Sequence, residues 1–192
     1  MDPYVYPGTN ILRNLHGIRD PELFDRFEAD ASSNRLSQLE RKPTKGSFDA
    51  AHLRTIHRHI FQDVFDWAGK FRTVNISKSG DSFAFHDFIA SCLDSLCAKL
   101  QKEQHLAGLD MAQFAKRAAF YLGEINAIHP FREGNGRSQR EFFRQLAFRN
   151  GYALDWKTVT REQMLEASIE SFKTGRTTGL EAIIRGALRP KL

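Results

Sequence analysis

Residues 129–142 combine the residue types that a polyphosphate site with an adjacent base requires. They read HPFREGNGRSQREF. Gly134 and Gly136 flank Asn135, and glycines let the backbone bend tightly and turn its N–H groups inward, where they can bind phosphate oxygens at a helix start. The helix N-terminus adds a partial positive charge. The pattern indicates an enzyme that uses a nucleotide.

The arginines that follow the loop share one side of the predicted helix. With Arg137 as the origin and about 100° per residue, Arg140 lies at about 300° and Arg144 at about 340°. Three apolar side chains fall between about 140° and 240°: Phe142, Phe143 and Leu146. One face therefore packs, while the other offers guanidinium groups that can bind phosphate oxygens in bidentate pairs.

His129 and Glu133 are the candidate base and metal ligand. Pro130 ends the preceding helix and places the imidazole of His129 at the edge of the loop, where it could deprotonate an attacking hydroxyl. A helix C-terminus would raise the pKa of His129, whereas nearby arginines would lower it. Glu133 could hold Mg²⁺, which takes one or two carboxylates together with phosphate oxygens, or it could be an ion-pair partner of the arginines.

Each feature alone has a simpler interpretation. A lone histidine is more often structural than catalytic, an Asn-Gly pair usually marks a turn, and arginine stripes are usually solvated. Their combination within one short segment favours the nucleotide site.

The segment resembles the Fic family signature, HPF-x-[D/E]-G-N-G-R-x-x-R, at every specified position from His129 to Arg140. Residues 65–72, FDWAGKFR, are similar to the family's approach to its small β-hairpin, the flap. Residues 2–18 resemble the start of the short bacterial Fic toxins. The resemblance covers most of the chain and implies an all-α Fic-fold helical bundle with one small β-hairpin next to the active-site loop.

The resemblance also implies a reaction, transfer of AMP from ATP to a hydroxyl side chain of a target protein. His129 would be the general base and Glu133 the Mg²⁺ ligand. Asn135 and Arg137, with the loop amides, would bind the α- and β-phosphates, and Arg140 the γ-phosphate. A branch with Ala and Lys at the positions of Gly134 and Gly136 phosphorylates instead, so both glycines favour AMP transfer.

Residues 72–85, RTVNISKSGDSFAF, are the flap candidate, because alternating side chains surround a Ser-Gly-Asp turn. Such an edge can take an extended target segment as an added strand. Phe83 or Phe85 could then pin the target over His129, as the flap does in the family. Alternatively, the hairpin is a plain connection with its phenylalanines in the core.

The chain lacks the inhibitory pattern [S/T]-x-x-x-E-[G/N], whose glutamate pairs with the second motif arginine in many Fic proteins. Thr158 to Glu162 is followed by Gln163, and Thr177 to Glu181 by Ala182. The resemblance therefore implies a toxin silenced by a separate small antitoxin protein that supplies the glutamate. The resemblance further implies ATPase subunits of type II DNA topoisomerases as its targets.

Composition agrees with one ordinary globular domain, residues 1–192, with an irregular entry at 1–19. The chain is 41% hydrophobic and 27% charged, with a net charge of +5 and a pI near 9.4. No apolar run approaches membrane-spanning length and no signal peptide is evident, so we expect a cytoplasmic protein with no membrane partner. Direct binding of nucleic acid is a disfavoured alternative, because the phenylalanines recur at core spacing. Cys92 and Cys97 are expected to be core thiols.

Periodicity and cap residues predict the remaining helices. The ranges are 21–40, 48–66 with Ser47 as cap, 86–103, 110–128, the motif helix ending near Asn150-Gly151, 160–172 and 178–188. The helix over 110–128 is expected to pack through the side that carries Phe114, Ala118, Tyr121, Leu122 and Ile125. His57, His59 and His105 are expected to be structural or solvent-facing.

Overall fold

Seven α-helices build most of this computed structural model, which describes residues 2–78 and 80–191. They are α1 (Pro21–Arg41), α2 (Ala50–Phe61), α3 (Ile89–Lys102), α4 (Met111–Ile128), α5 (Asn135–Arg149), α6 (Arg161–Thr174) and α7 (Thr178–Ala187). Short 3-10 turns lie at His86–Phe88, Gln104–Leu106 and Trp156–Thr158. The predicted helical bundle is confirmed.

Two antiparallel strand pairs accompany the helices in the described residues. The flap consists of β1 (Ser77–Lys78) and β2 (Asp81–Ser82), paired as Ser77 with Ser82 and Lys78 with Asp81. Ser79, in the expected turn, lies outside the described residues, as does Met1 of the entry segment. A second pair, β3 (Tyr152–Leu154) with β4 (Leu188–Pro190), was not predicted, because strands of three residues carry no readable alternation.

Side-chain caps set the helix starts. Asp20 accepts the N–H of Leu23 at 2.8 Å before α1. Asp49, rather than the predicted Ser47, caps α2 through the N–H of His52 at 2.7 Å, because Phe48 adopts a positive φ of 55° and turns the chain there. The second helix also ends earlier than predicted, at Phe61. There the N–H of Val64 donates to the carbonyl of Phe61 at 2.9 Å and forms a turn.

The central helix α4 packs against α3, α5, α6 and α7. Its predicted packed side is confirmed, since all five of its members are buried: Phe114, Ala118, Tyr121, Leu122 and Ile125. Because α4 is fixed on several sides, its C-terminal end, where His129 follows, is held rigidly.

The N-terminal arm reaches back to the motif loop. Asp2 pairs with Arg132 at 2.8 Å, and the buried Tyr4 contacts Thr73 through its hydroxyl at 3.2 Å. Cys92 and Cys97 are free thiols, as expected, but Cys92 is exposed and Cys97 is half-buried, so neither belongs to the buried core. None of the described helices is long and apolar enough to cross a membrane.

Candidate active site

The loop between α4 and α5 is braced by the side chain of Asn135. Phe131 donates its N–H to Asn135 Oδ1 at 2.9 Å, and Asn135 Nδ2 donates to the carbonyl of Phe131 at 2.8 Å. The side chain is buried, so both of its polar atoms serve the loop. Asn135 offers a phosphate its main-chain N–H, one of the first N–H groups of α5, which have no acceptor inside the helix.

Gly134 is required by close packing as well as by its backbone conformation. It has a φ of +79°, and a Cβ there would lie 2.2 Å from Cε2 of the buried Phe61. At Gly136 a Cβ would meet only Arg140 Nη1, at 3.2 Å, and a flexible guanidinium can move. The first glycine therefore shapes the loop, whereas the second leaves room beside Arg140.

His129 caps α4 in the left-handed conformation, with φ 49° and ψ 64°. Its Nδ1 lies 3.2 Å from the carbonyl oxygen of Asn126. Because a carbonyl can only accept, this contact assigns the proton of the neutral ring to Nδ1 and leaves the lone pair on Nε2. The ring can then accept a proton at Nε2.

The pKa of His129 is lowered to about 4, mainly by burial and to a smaller extent by Arg72 and Lys78, although the carbonyl of Asn126 and the charge of Glu133 raise it. Burial therefore lowers the pKa of His129 by more than its position at a helix C-terminus raises it. The ring is neutral at pH 7, as a general base must be.

Glu133 is half-exposed beside the loop. Its Oε1 accepts the N–H of Gly134 at 2.9 Å and lies 3.8 Å from Arg137 Nη2. No group of three acidic, histidine or cysteine side chains that could hold a metal occurs among the described residues. A lone carboxylate fits Mg²⁺ only together with phosphate oxygens and water, which is the usual donor set of this ion at nucleotides.

Arg137, Arg140 and Arg144 have different surroundings, although they share one side of α5. Arg137 turns toward α1, where its Nη1 lies 2.7 Å from Glu28 Oε1 and 2.9 Å from Ser32 Oγ. Arg144 pairs with Glu141 at 2.7 Å. The guanidinium of Arg140, half-buried, donates no hydrogen bond to any residue in the described part of the chain.

Burial lowers the pKa of Arg140, and Arg137 lowers it further, although an arginine stays charged in proteins. A desolvated cation without a counterion binds an anion strongly. Of the predicted phosphate ligands, Arg140 is therefore the side chain best placed for an anion, while Arg137 is engaged elsewhere.

These groups line a cavity of about 810 Å³, within the usual range for small-molecule sites. His129, Glu133, Asn135, Gly136 and Arg140 form one wall. A second wall, which the sequence did not reveal, comes from the turn after β3 and from α6. It has four apolar side chains, Trp156, Val159, Met164 and Leu165, together with the polar Thr160, Arg161 and Ser168. The indole of Trp156 donates to the carbonyl of Arg140 at 2.8 Å, which joins the two walls.

The flap covers His129. The ring of Phe83 stacks on the imidazole with 3.9 Å between centroids and 20° between planes, and it contacts Phe172 edge-on. Phe85, the other predicted flap residue, points outward and is 64% exposed. Neither phenylalanine belongs to the buried core, so the plain-connection interpretation does not describe them.

His57 supports the loop from behind. Its Nδ1 accepts the N–H of Gly69 at 2.8 Å, so Nε2 carries the proton that is donated to the carbonyl of Glu133 at 3.0 Å. The ring stacks on Phe131 with centroids 3.8 Å apart. Burial lowers the pKa of His57 to about 4. The structural interpretation of this histidine is confirmed.

Comparison with known proteins identifies relatives along almost the whole chain. The chain is 45% identical over 184 residues to the protein adenylyltransferase VbhT of Bartonella schoenbuchensis, covering 96% of this chain and 38% of that protein. It is 39% identical over 182 residues to the "Probable protein adenylyltransferase Fic" of Escherichia coli K12, covering 95% and 90%.

Two solved structures have the same fold. BepC of Bartonella tribocorum with bound AMPPNP has a TM-score of 0.93 at 28% identity, covering 98% of this chain and 97% of that one. The N-terminal Fic domain of a VirB-translocated effector of Bartonella quintana, with bound ADP, has a TM-score of 0.94 at 31% identity, covering 98% and 95%.

The sequence model of the Fic/DOC family matches residues 47–147, which extend from two residues before the cap of α2 into the motif helix. This range contains the flap, the loop and both motif arginines, Arg137 and Arg140. The chain belongs to the Fic/DOC family.

Proposed function

We propose that this chain is a protein adenylyltransferase, which moves AMP from ATP to a hydroxyl side chain of a target protein and releases pyrophosphate. The observation that carries the proposal is the neutral His129 in one cavity with the guanidinium of Arg140 and the first N–H groups of α5, which have no hydrogen-bond acceptor among the described residues. The relatives named protein adenylyltransferase and the nucleotides bound to its structural neighbours support the same activity.

In this reaction the target hydroxyl oxygen attacks the α-phosphorus while His129 Nε2 accepts its proton. The new O–P bond forms, the bond to the oxygen that bridges the α- and β-phosphates breaks, and pyrophosphate leaves. The N–H groups of α5 and the positive charge of Arg140 stabilise the negative charge on the phosphates. Mg²⁺, with Glu133 as its protein ligand, would add further neutralisation when bound.

Labelled nucleotides test the activity. Wild-type protein and His129→Ala are each incubated with α-labelled and, separately, γ-labelled ATP in bacterial lysate. We expect α-label on a protein band with the wild type and no label with the variant. Transfer of γ-label would instead indicate a kinase, and the absence of His129-dependent labelling would indicate a module that binds nucleotide or nucleic acid without turnover.

We propose in addition that the enzyme is a cytoplasmic toxin controlled by a small antitoxin. The support is Arg140, a half-buried cation without a carboxylate partner in the described residues, beside a small cavity lined by Leu36, Glu40 and Trp156. A glutamate supplied by another protein would neutralise Arg140 and block the place of the γ-phosphate. ATPase subunits of type II topoisomerases are the proposed targets.

Growth tests this second proposal. Expression of the chain alone should arrest bacterial growth, whereas His129→Ala should not. Co-expression of a small protein that carries the inhibitory glutamate should restore growth, and the same protein with glutamine there should not. Purified topoisomerase ATPase subunit should take α-label. Normal growth with active enzyme would contradict the toxin role without affecting the proposed chemistry.

A further inference from the structure

Arg72 is a buried cation without an acidic partner among the residues described. It is 2% exposed, and its guanidinium donates to four main-chain carbonyls. Burying a charge is costly unless hydrogen bonds compensate for the lost water. The buried charge of Arg72 is tolerated because four of the five N–H groups of its side chain donate hydrogen bonds. It does not explain why an arginine stands there.

Two of the four carbonyls flank His129. Nε donates to the carbonyl of His129 itself at 2.8 Å, and Nη2 to that of Ile128 at 3.2 Å. These carbonyls belong to the peptide planes on either side of the His129 Cα, and the orientations of those planes define its φ and ψ. The left-handed conformation is unfavourable for a residue with a side chain, so it persists only where its surroundings hold it.

The other two carbonyls belong to the segments that lead into and out of the flap. Nη1 donates to Val74 at 2.7 Å and Nη2 to Ala84 at 2.5 Å. Ala84 directly follows Phe83, whose ring stacks on His129. One guanidinium therefore joins the backbone of the catalytic histidine to the base of the element that covers its ring.

We propose that Arg72 is a positioning residue for AMP transfer, which holds His129 in its left-handed conformation and keeps the flap docked on the imidazole. The proposal rests on the proposed function. Arg72 does not line the cavity, so it acts through His129 and Phe83 and not on the nucleotide. Its loss should therefore slow the chemical step and leave nucleotide binding intact.

Arg72→Lys tests this role, because an ammonium keeps the charge but cannot span carbonyls on both the helix and the flap. We expect kcat to fall about 10- to 100-fold, the size of effect that displaced catalytic groups produce, with the Kd for AMPPNP within about twofold of wild type. Arg189→Lys is the matched control, since Arg189 also donates to main-chain carbonyls, those of Gly186 and Leu188, which belong neither to the motif loop nor to the cavity lining. It should retain wild-type kinetics.

Histidine NMR provides a readout that does not depend on activity. In ¹³C,¹⁵N-histidine-labelled protein the His129 signals, identified by their loss in His129→Ala, should be shifted by the ring current of Phe83. Phe83→Leu gives their position without the ring. In Arg72→Lys they should move toward that position, whereas in Arg189→Lys they should not.

The proposal is wrong if Arg72→Lys has the same His129 signals and the same kcat as the wild type. It is also wrong if the variant loses nucleotide affinity and turnover equally. Arg72→Gln is made in parallel in case the lysine variant does not fold. If neither variant folds, Arg72 serves general stability and the proposal is wrong. If the wild type transfers no AMP, the proposed function fails, and the NMR comparison alone still decides whether Arg72 positions His129.

Discussion

Glu28 of α1 and Arg137 of α5 form an ion pair, with 2.7 Å between Oε1 and Nη1, and 109 residues separate them in sequence. The pair is largely shielded, with 14% of the Glu28 side chain and 24% of the Arg137 side chain exposed. The motif arginine is thereby turned away from the wall of the nucleotide cavity. If Arg137 contacts the phosphates of ATP, it must first leave Glu28.

We therefore expect Glu28→Gln to bind ATP more tightly. Partly exposed ion pairs contribute about 0.2–1 kcal/mol, so the Kd for ATP should fall by up to about fivefold. Titration calorimetry with AMPPNP measures the change. Glu22→Gln, on the exposed start of the same helix, is the control and should leave the Kd unchanged. Weaker binding in Glu28→Gln would show that Glu28 orients Arg137 for the phosphates.

The pH dependence of kcat should carry the signature of a buried histidine. Only the neutral imidazole can accept a proton, and burial lowers the pKa of His129 to about 4. The contribution of this group to kcat should thus be constant around neutrality and decline only as the pH falls toward about 4. Initial rates at saturating ATP, with folding checked by circular dichroism at each pH, measure the profile. An acid limb centred near the ordinary histidine value of 6.5 would contradict it.

Stability toward acid should depend on His57. Its pKa is lowered from 6.5 to about 4 on folding, so between these values the unfolded chain binds the additional proton and protonation favours unfolding. Stability from this group is fully present above pH 6.5 and is lost as the pH falls to about 4, by up to roughly 3 kcal/mol.

Urea unfolding at several pH values across this window measures the loss. His57→Gln should be less stable than wild type at pH 7, because the N–H of Gly69 loses its acceptor, but its stability should fall less steeply with acid. Parallel pH profiles for the two proteins would show that the buried histidine is not responsible.

Substitutions at two glycines can distinguish the cost of a steric clash from the cost of an unfavourable backbone conformation. Gly134 and Gly151 have nearly the same φ, +79° and +80°, but a Cβ at Gly134 would collide with Phe61. A Cβ at Gly151 would have no atom of the described residues within 4 Å, its chain neighbours aside. We expect Gly151→Ala to cost about 1 kcal/mol of unfolding free energy, from conformation alone. Gly134→Ala should cost several times more, as overpacking of a core does, and abolish nucleotide binding. Equal losses in thermal unfolding and binding would contradict the packing argument.

The sequence predicted features that repeat or that follow a local rule. The packed side of α4, the buried phenylalanines of α5 and the break at Pro130 follow from helical periodicity and from backbone restrictions. The orientation of Arg137 does not, because its direction depends on an acidic residue of a distant helix. The apolar wall around Trp156 was equally hidden, since it exists only once α6 packs beside the loop.

Arg72 shows the same limit from another side. In the sequence it is one arginine before a hairpin, and its four acceptors are main-chain carbonyls, which every residue possesses. A sequence pattern, which consists of side-chain types, therefore cannot predict these hydrogen bonds.

The hydrogen bond from Trp156 to the carbonyl of Arg140 also gives the molecule an intrinsic optical reporter. The chain contains two tryptophans, and the other, Trp67, is buried against Phe65, away from the cavity wall. A nucleotide base entering the cavity would meet the indole of Trp156 alone. Fluorescence quenching in unmodified protein should therefore follow nucleotide arrival and departure in real time without any label, and Trp156→Phe, which keeps only Trp67, should lose this response.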